Sequence, residues 1–102
     1  MTQKKPQSAD ELIEILAGPG NAIARSKAAS KLGRLGARRA APALIAALED
    51  PHPLVRMLAA QSLGLLGVKR AVAPLARARA NGIDRPYDVT FREAIARCKR
   101  GR

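Results

Sequence analysis

The sequence predicts an all-α chain of about six short helices in three helix pairs, and three observations predict it. The first is an internal repeat. Residues 25–36 read R-S-K-A-A-S-K-L-G-R-L-G and residues 56–67 read R-M-L-A-A-Q-S-L-G-L-L-G. At this offset of 31, Arg25 falls on Arg56, Ala28 and Ala29 on Ala59 and Ala60, and Leu32-Gly33 on Leu63-Gly64. Leu35-Gly36 then falls on Leu66-Gly67, Arg38-Arg39-Ala40 on Lys69-Arg70-Ala71, and Leu44 on Leu75. A period of this length holds two helices. The second observation is composition: 47 % of residues are hydrophobic, yet Tyr87 and Phe91 are the only aromatics. Such a core is built from Ala, Leu, Ile and Val. The third is helix punctuation, with Gly, Pro and Asn recurring between the apolar segments.

The elements follow in order. Ser8-x-x-Glu11 is a capping box that opens the first helix, which stops near Gly18-Pro19-Gly20. The second runs from about Asn21 to Leu35, with Gly36 as its C′ residue. The third spans about Arg39 to Leu48 with Pro42 in its first turn, where a missing N–H costs least. Asp50-Pro51-His52-Pro53 is a turn leading into the fourth helix, about Leu54 to Leu66, which Gly67 ends. The fifth spans about Arg70 to Ala80 and stops at Asn81-Gly82. The sixth begins near Asp88 or Thr90, where Thr90-x-x-Glu93 reads as a second capping box. This last copy is displaced by 36 rather than 31, because Gly82 to Pro86 lengthens the connection. The expected organisation is a disordered tail over residues 1–7, one domain over 8–99 (repeats 8–36, 37–67 and 68–99), and a basic tail over 100–102.

Composition excludes several classes. A chain of 102 residues supports one small domain, burying roughly 60–65 % of its unfolded surface. One cysteine, Cys98, allows no internal disulfide and fits a reducing compartment. No apolar run approaches the roughly 18–20 residues of a membrane span, and the polar start lacks a signal-peptide core, so the expected location is cytoplasmic. Catalytic equipment is absent from the pattern: there is no HExxH, CxxC, phosphate loop or GxSxG. His52, the one histidine, sits between two prolines in a turn and reads as a capping or solvated residue. One His and one Cys 46 positions apart do not form a metal site. The expectation is a non-enzyme with no metal and no cofactor. Cys98 reads as an inert structural thiol, or as one whose pKa is lowered by its basic helix.

The run A-A-P-A-L-I-A-A-L-E-D-P-H-P-L-V-R-M-L-A-A-Q-S-L-G-L-L-G resembles a HEAT-type repeat, specifically the short class named after phycobilisome lyases. The resemblance covers residues 23–80 best. It implies an α-α superhelix, or α-solenoid, with first helices on the convex face and second helices lining the concave face. It also implies that Asp50 and Arg56 sit where such repeats carry a structural Asp/Arg ladder. Gly18 or Asn21, and Asn81, occupy the Asp-equivalent neighbourhoods beside Arg25 and Arg92.

On that frame the fourth helix stands out. Val55, Ala59, Leu63 and Leu66 form its core stripe, while Leu54, Met57, Leu58, Gln61 and Leu65 face the other way. That second set is either further packing by a central helix or a partner-binding strip. With Lys27, Lys31 and Arg34 on the second helix and Arg97 on the sixth, Met57, Leu58, Gln61 and Leu65 make the candidate concave binding face. The charge is uneven as well. Residues 1–20 carry two lysines against three acids, so residues 21–102 carry 17 bases against five acids, a net +12. Arg38-Arg39, Lys69-Arg70 and Lys99-Arg100 repeat with the period and predict a basic ridge along one edge. It is read either as cationic support for helix ends and solubility or as a track for phosphates. The leading expectation is therefore a protein–protein interaction module, an adaptor or scaffold for a partner with an acidic surface. The alternative is sequence-independent nucleic-acid binding along the ridge, although Tyr87 and Phe91 are few aromatics on which to stack bases. Self-association through the open ends of the stack is a third option.

Overall fold

The computed structural model describes residues 8–82 and 84–101; the expected tail of residues 1–7 lies outside them, as do positions 83 and 102. Helix α1 (Ala9–Ala17) is opened by Ser8, whose hydroxyl oxygen accepts the Glu11 N–H at 3.2 Å. Helix α2 (Ala22–Arg34) is capped by Asn21, whose Oδ1 accepts the Ala24 N–H at 2.7 Å. Helix α3 (Ala41–Ala46) follows a 3-10 turn at Arg38–Ala40 and runs into a second at Ala47–Glu49. Helix α4 (Pro53–Leu66) starts at His52, whose Nδ1 accepts the Leu54 N–H at 3.2 Å. Helix α5 (Val72–Ala80) follows a 3-10 turn at Lys69–Ala71, and α6 (Asp88–Arg100) follows one at Arg85–Tyr87. The six predicted helices are present in order.

Four details differ from the sequence reading, while α6 starts at Asp88, one of the two expected positions. The third and fifth helices each begin as a 3-10 turn, so Arg39 and Arg70 belong to the approach and not to the α-helix. Thr90 is not a cap: the Arg85–Tyr87 turn feeds straight into α6 at Asp88, and no side chain caps the helix start. Arg100 is the last residue of α6, not part of a tail.

The helices form two layers. The second helices of the pairs, α2, α4 and α6, lie side by side with α4 in the middle, each in extensive contact with the next. The first helices, α1, α3 and α5, pack on them and touch one another far less. Closer contact among second helices than among first helices is the arrangement that, along a solenoid, puts the second helices on the concave side. Between the layers lie Leu12, Leu16, Leu32, Leu44, Val55, Leu63, Leu75 and Phe91, all buried. The predicted α4 stripe of Val55, Ala59, Leu63 and Leu66 is within this core.

Small residues make the close approach. A Cβ placed on Gly33 of α2 would lie 2.7 Å from the Ser62 Cβ and 2.9 Å from its Cα on α4. A Cβ on Gly64 of α4 would lie 3.0 Å from the Ala94 Cα on α6. Each contact is reinforced by a short side chain bonding across it. Ser62 Oγ–H donates to the Ala29 carbonyl at 2.5 Å, and Cys98 Sγ–H donates to the Leu63 carbonyl at 3.3 Å. Gly36 and Gly67 close α2 and α4 at φ +69° and +64°, the left-handed conformation that glycine adopts without penalty.

Gly33→Ala tests this packing. Alanine improves helix propensity by about 1 kcal/mol, but here its Cβ meets backbone that cannot step aside, an overpacking cost of about 1–3 kcal/mol. Urea unfolding is expected to show a net loss of stability. Ser62→Ala does not rescue it, because the Ser62 Cβ and Cα remain at 2.7 and 2.9 Å.

Candidate functional site

Two sets of side chains stand on this frame: a ladder of ion pairs that orders the loops between the first and second helices of the repeats, and the outward surface of the second helices. The ladder has two rungs, each bridging successive repeats. Arg25 of α2 binds Asp50 through Nε–Oδ2 at 2.7 Å and Nη2–Oδ1 at 3.2 Å. Arg56 of α4 binds Asp84 through Nε–Oδ2 and Nη2–Oδ1, both at 2.8 Å. The remaining Nη1 of each arginine turns back into its own repeat: Arg25 donates to the Gly20 carbonyl, and Arg56 to the Asp50 carbonyl at 2.7 Å. Both rungs are largely buried, with side chains between 4 % and 14 % exposed.

The expected ladder positions Asp50 and Arg56 are thus both used, but on different rungs. Asn21 caps α2 and Asn81 follows α5; neither stands in for the aspartate. The missing partner is Asp84, three places beyond the position that an offset of 31 from Asp50 predicts. The lengthened connection between residues 82 and 86 hides it. Burial pushes the Asp50 carboxyl up, but the Arg25 hydrogen bond, the His52 N–H and the charges of Arg25 and His52 outweigh it. The carboxyl is held below the ordinary aspartate value.

On the concave side, α4 presents Gln61 and Leu65, the latter 51 % exposed. Leu54, Met57 and Leu58 are half-buried, and Leu58 packs against the core, so the predicted strip divides into an open part and a part used for packing. On α2, Ile23 is 64 % exposed, Lys27 and Arg34 are exposed, and Ser26 is buried with its hydroxyl on the Ile23 carbonyl at 2.8 Å. Lys31 is exposed but occupies the α2 position that corresponds to Ser62 of α4. Ser62 points toward the preceding second helix, so the repeat places Lys31 on the outer flank of α2 and not among the concave residues. Arg97 of α6 lies over α4, its Cδ 3.6 Å from the Cβ position of Gly64. Of the expected binding residues, Leu65 and Gln61 on α4, Lys27 and Arg34 on α2 and Arg97 on α6 are exposed, and Met57 is half-buried.

The basic ridge is less regular than its sequence. Arg38-Arg39 and Lys69-Arg70 do occupy equivalent 3-10 turns and are exposed. Lys99 and Arg100 instead form the last turn of α6, because the third repeat is out of register. Arg38 donates Nη1 to the Leu66 carbonyl at the end of α4, where a cation offsets the helix's unpaired carbonyls. Arg39 pairs with Asp10 at 3.0 Å on an exposed surface. One pair of the ridge is thus engaged in holding helix ends and neighbouring repeats. Cys98 is buried, and burial pushes its thiol up, opposite to the lowering that a basic helix suggests. Among the described residues no group of three or more His, Cys, Asp or Glu comes together to hold a metal ion, and no helix is long and apolar enough to cross a membrane.

Comparison with known proteins gives one family match: a model described as HEAT repeats covers residues 9–96. No curated protein matches the chain.

The ladder generates two expectations. An aspartate depressed in the folded state adds stability above its unfolded value, about pH 4, and that stability is lost as pH falls through the lower folded value. Asp50→Asn is therefore expected to flatten the acid limb of stability against pH, read by urea midpoints from neutral pH downward. Asp84→Ala leaves the buried Arg56 without its carboxylate and is expected to cost about 3 kcal/mol. Asp88→Ala, on the exposed Arg79–Asp88 pair, is expected to cost far less in the same titration.

Proposed function

The chain belongs to the HEAT-repeat family, and from that premise we propose that it is a small, non-enzymatic protein-binding module. It acts as an adaptor or scaffold that receives a partner with an acidic surface on its concave face. Repeat solenoids commonly present such preformed surfaces, which lowers the ordering cost of association. The observation that carries the reading is Leu65: an aliphatic side chain 51 % exposed on the central second helix, one turn from the exposed Gln61, with exposed cations on the second helices to either side, Arg34 at the equivalent position of α2 and Arg97 on α6. An apolar centre with a cationic rim suits a partner that buries an apolar side chain and surrounds it with carboxylates.

Nucleic-acid binding along the ridge is the weaker reading, since Arg38 and Arg39 already serve intramolecular contacts. Self-association is opposed by a net charge of +11. A free thiol at Cys98 fits a cytoplasmic setting.

Affinity capture from source lysate with wild type, Leu65→Asp and Arg70→Ala tests the reading, with circular dichroism to show that each variant is folded. The expected result is a nuclease-resistant protein partner that Leu65→Asp loses by about tenfold or more and Arg70→Ala retains. Recovery of nucleic acid that Arg70→Ala weakens and Leu65→Asp does not would contradict it.

A further inference from the structure

The last helix pair leaves the ladder open on a cation. In the interior, each ladder arginine lies between a carbonyl of its own repeat and a carboxylate of the next, as Arg25 does with Gly20 and Asp50 and Arg56 with Asp50 and Asp84. Helix α6 carries Arg92 at the corresponding place, directly after the buried Phe91 as Arg56 follows the buried Val55. Among the described residues, the carboxylate that reaches Arg92 is Asp88 of its own helix, at 3.9 Å. That carboxylate is already held by Arg79 through Nε–Oδ1 at 2.6 Å and Nη2–Oδ2 at 3.2 Å. Arg85 adds a third cation: its charge reaches Asp88 along with those of Arg79 and Arg92, and its Nη2 lies over Gly82, 3.6 Å from the Cβ position there. Two guanidinium groups thus share one carboxylate with a third nearby, and the four side chains carry a net charge of +2 at neutral pH.

Arg79, Arg85 and Asp88 form the polar side of an open cleft of about 470 Å³ between α5 and α6, and Ala76, Ala80 and Ile95 its apolar side; Arg92 stands beside the cleft through its contact with Asp88. We propose that this cleft is a second docking site, one that takes an aspartate- or glutamate-bearing segment of a protein partner. The incoming carboxylate adds a further rung with Arg92 and Arg85, and its methylene stem lies against Ala80 and Ile95. The fork of a guanidinium matches a planar carboxylate in two parallel hydrogen bonds, the geometry that both interior rungs already show. A phosphate backbone is a poorer occupant, because the apolar side of Ala76, Ala80 and Ile95 offers nothing to a phosphate but receives the methylene stem of a carboxylate side chain. The site lies apart from the concave strip around Leu65, so either reading stands or falls without the other.

Fluorescence anisotropy tests the proposal on the full chain, with two labelled probes at one salt concentration: a short peptide of alternating glutamate and alanine, and a mixed-sequence DNA duplex. The variants are Arg85→Ala/Arg92→Ala and, as a control that removes the same charge elsewhere, Lys69→Ala/Arg70→Ala. Thermal melts confirm that both are folded, as expected for exposed side chains. Peptide affinity is expected to fall about tenfold or more in Arg85→Ala/Arg92→Ala, since each lost hydrogen bond is to a charged group, and about twofold or less in the control. The charge-reversed variant Arg85→Glu/Arg92→Glu is expected to bind a peptide of alternating lysine and alanine more tightly than wild type does. Equal losses in the two double variants would show attraction to net charge only and overturn the proposal. So would absence of peptide binding, or duplex binding that Arg85→Ala/Arg92→Ala weakens more than peptide binding.

Discussion

Two glycines set the distance between the three second helices, and the remainder of the molecule follows from that distance. With hydrogen at Gly33 and Gly64, α4 approaches α2 until Ser62 reaches the Ala29 carbonyl, and α6 approaches α4 until Cys98 reaches that of Leu63. Neither short side chain could span a wider gap. The first helices touch one another far less, while α4 is held between α2 and α6 and against α3. What is left of α4 for solvent is a narrow strip, and Leu65 is its most exposed aliphatic residue. The close packing that stabilises the fold therefore also selects the surface available to a partner.

The ladder acts at the other end of the same helices. Each rung ties the start of a second helix to the loop of the following repeat, fixing the relative position of units whose helices pack through small, nearly featureless side chains. Its arginines use their donors in two directions, toward a carboxylate ahead and a carbonyl behind, so each buried charge is both paired and hydrogen-bonded. That arrangement meets the desolvation cost that an isolated buried ion would carry. It is also directional. The first repeat offers Gly20 where later ones offer aspartate, and the last presents Arg92 with only a shared carboxylate.

Much of this was legible in the sequence because seven of the twelve residues at 25–36 recur at 56–67. The offset of 31 revealed the helix pairs and the helical period revealed the α4 stripe, both of which depend on local periodicity. What escaped depends on register or on three-dimensional approach. Asp84 was hidden by the longer connection after Gly82, and the same slip put Lys99 and Arg100 into a helix instead of a turn. Met57 and Leu58 looked as open as Leu65 on a helical projection, which cannot show that the neighbouring helices cover two of the three by half. Cys98 shows the limit most plainly: its cationic neighbours are visible in the sequence, but the burial that dominates its chemistry is not.

Native-state hydrogen exchange measures the central position of α4 most directly. Amides in the middle of α4 are expected to exchange only through global unfolding, so that their opening free energy equals that from urea denaturation, with α2 and α6 close behind and α1 well below. If α4 exchanged through local openings as readily as α1, or if α6 outlasted it, the close approach across Gly33 and Gly64 would not be what holds the stack together.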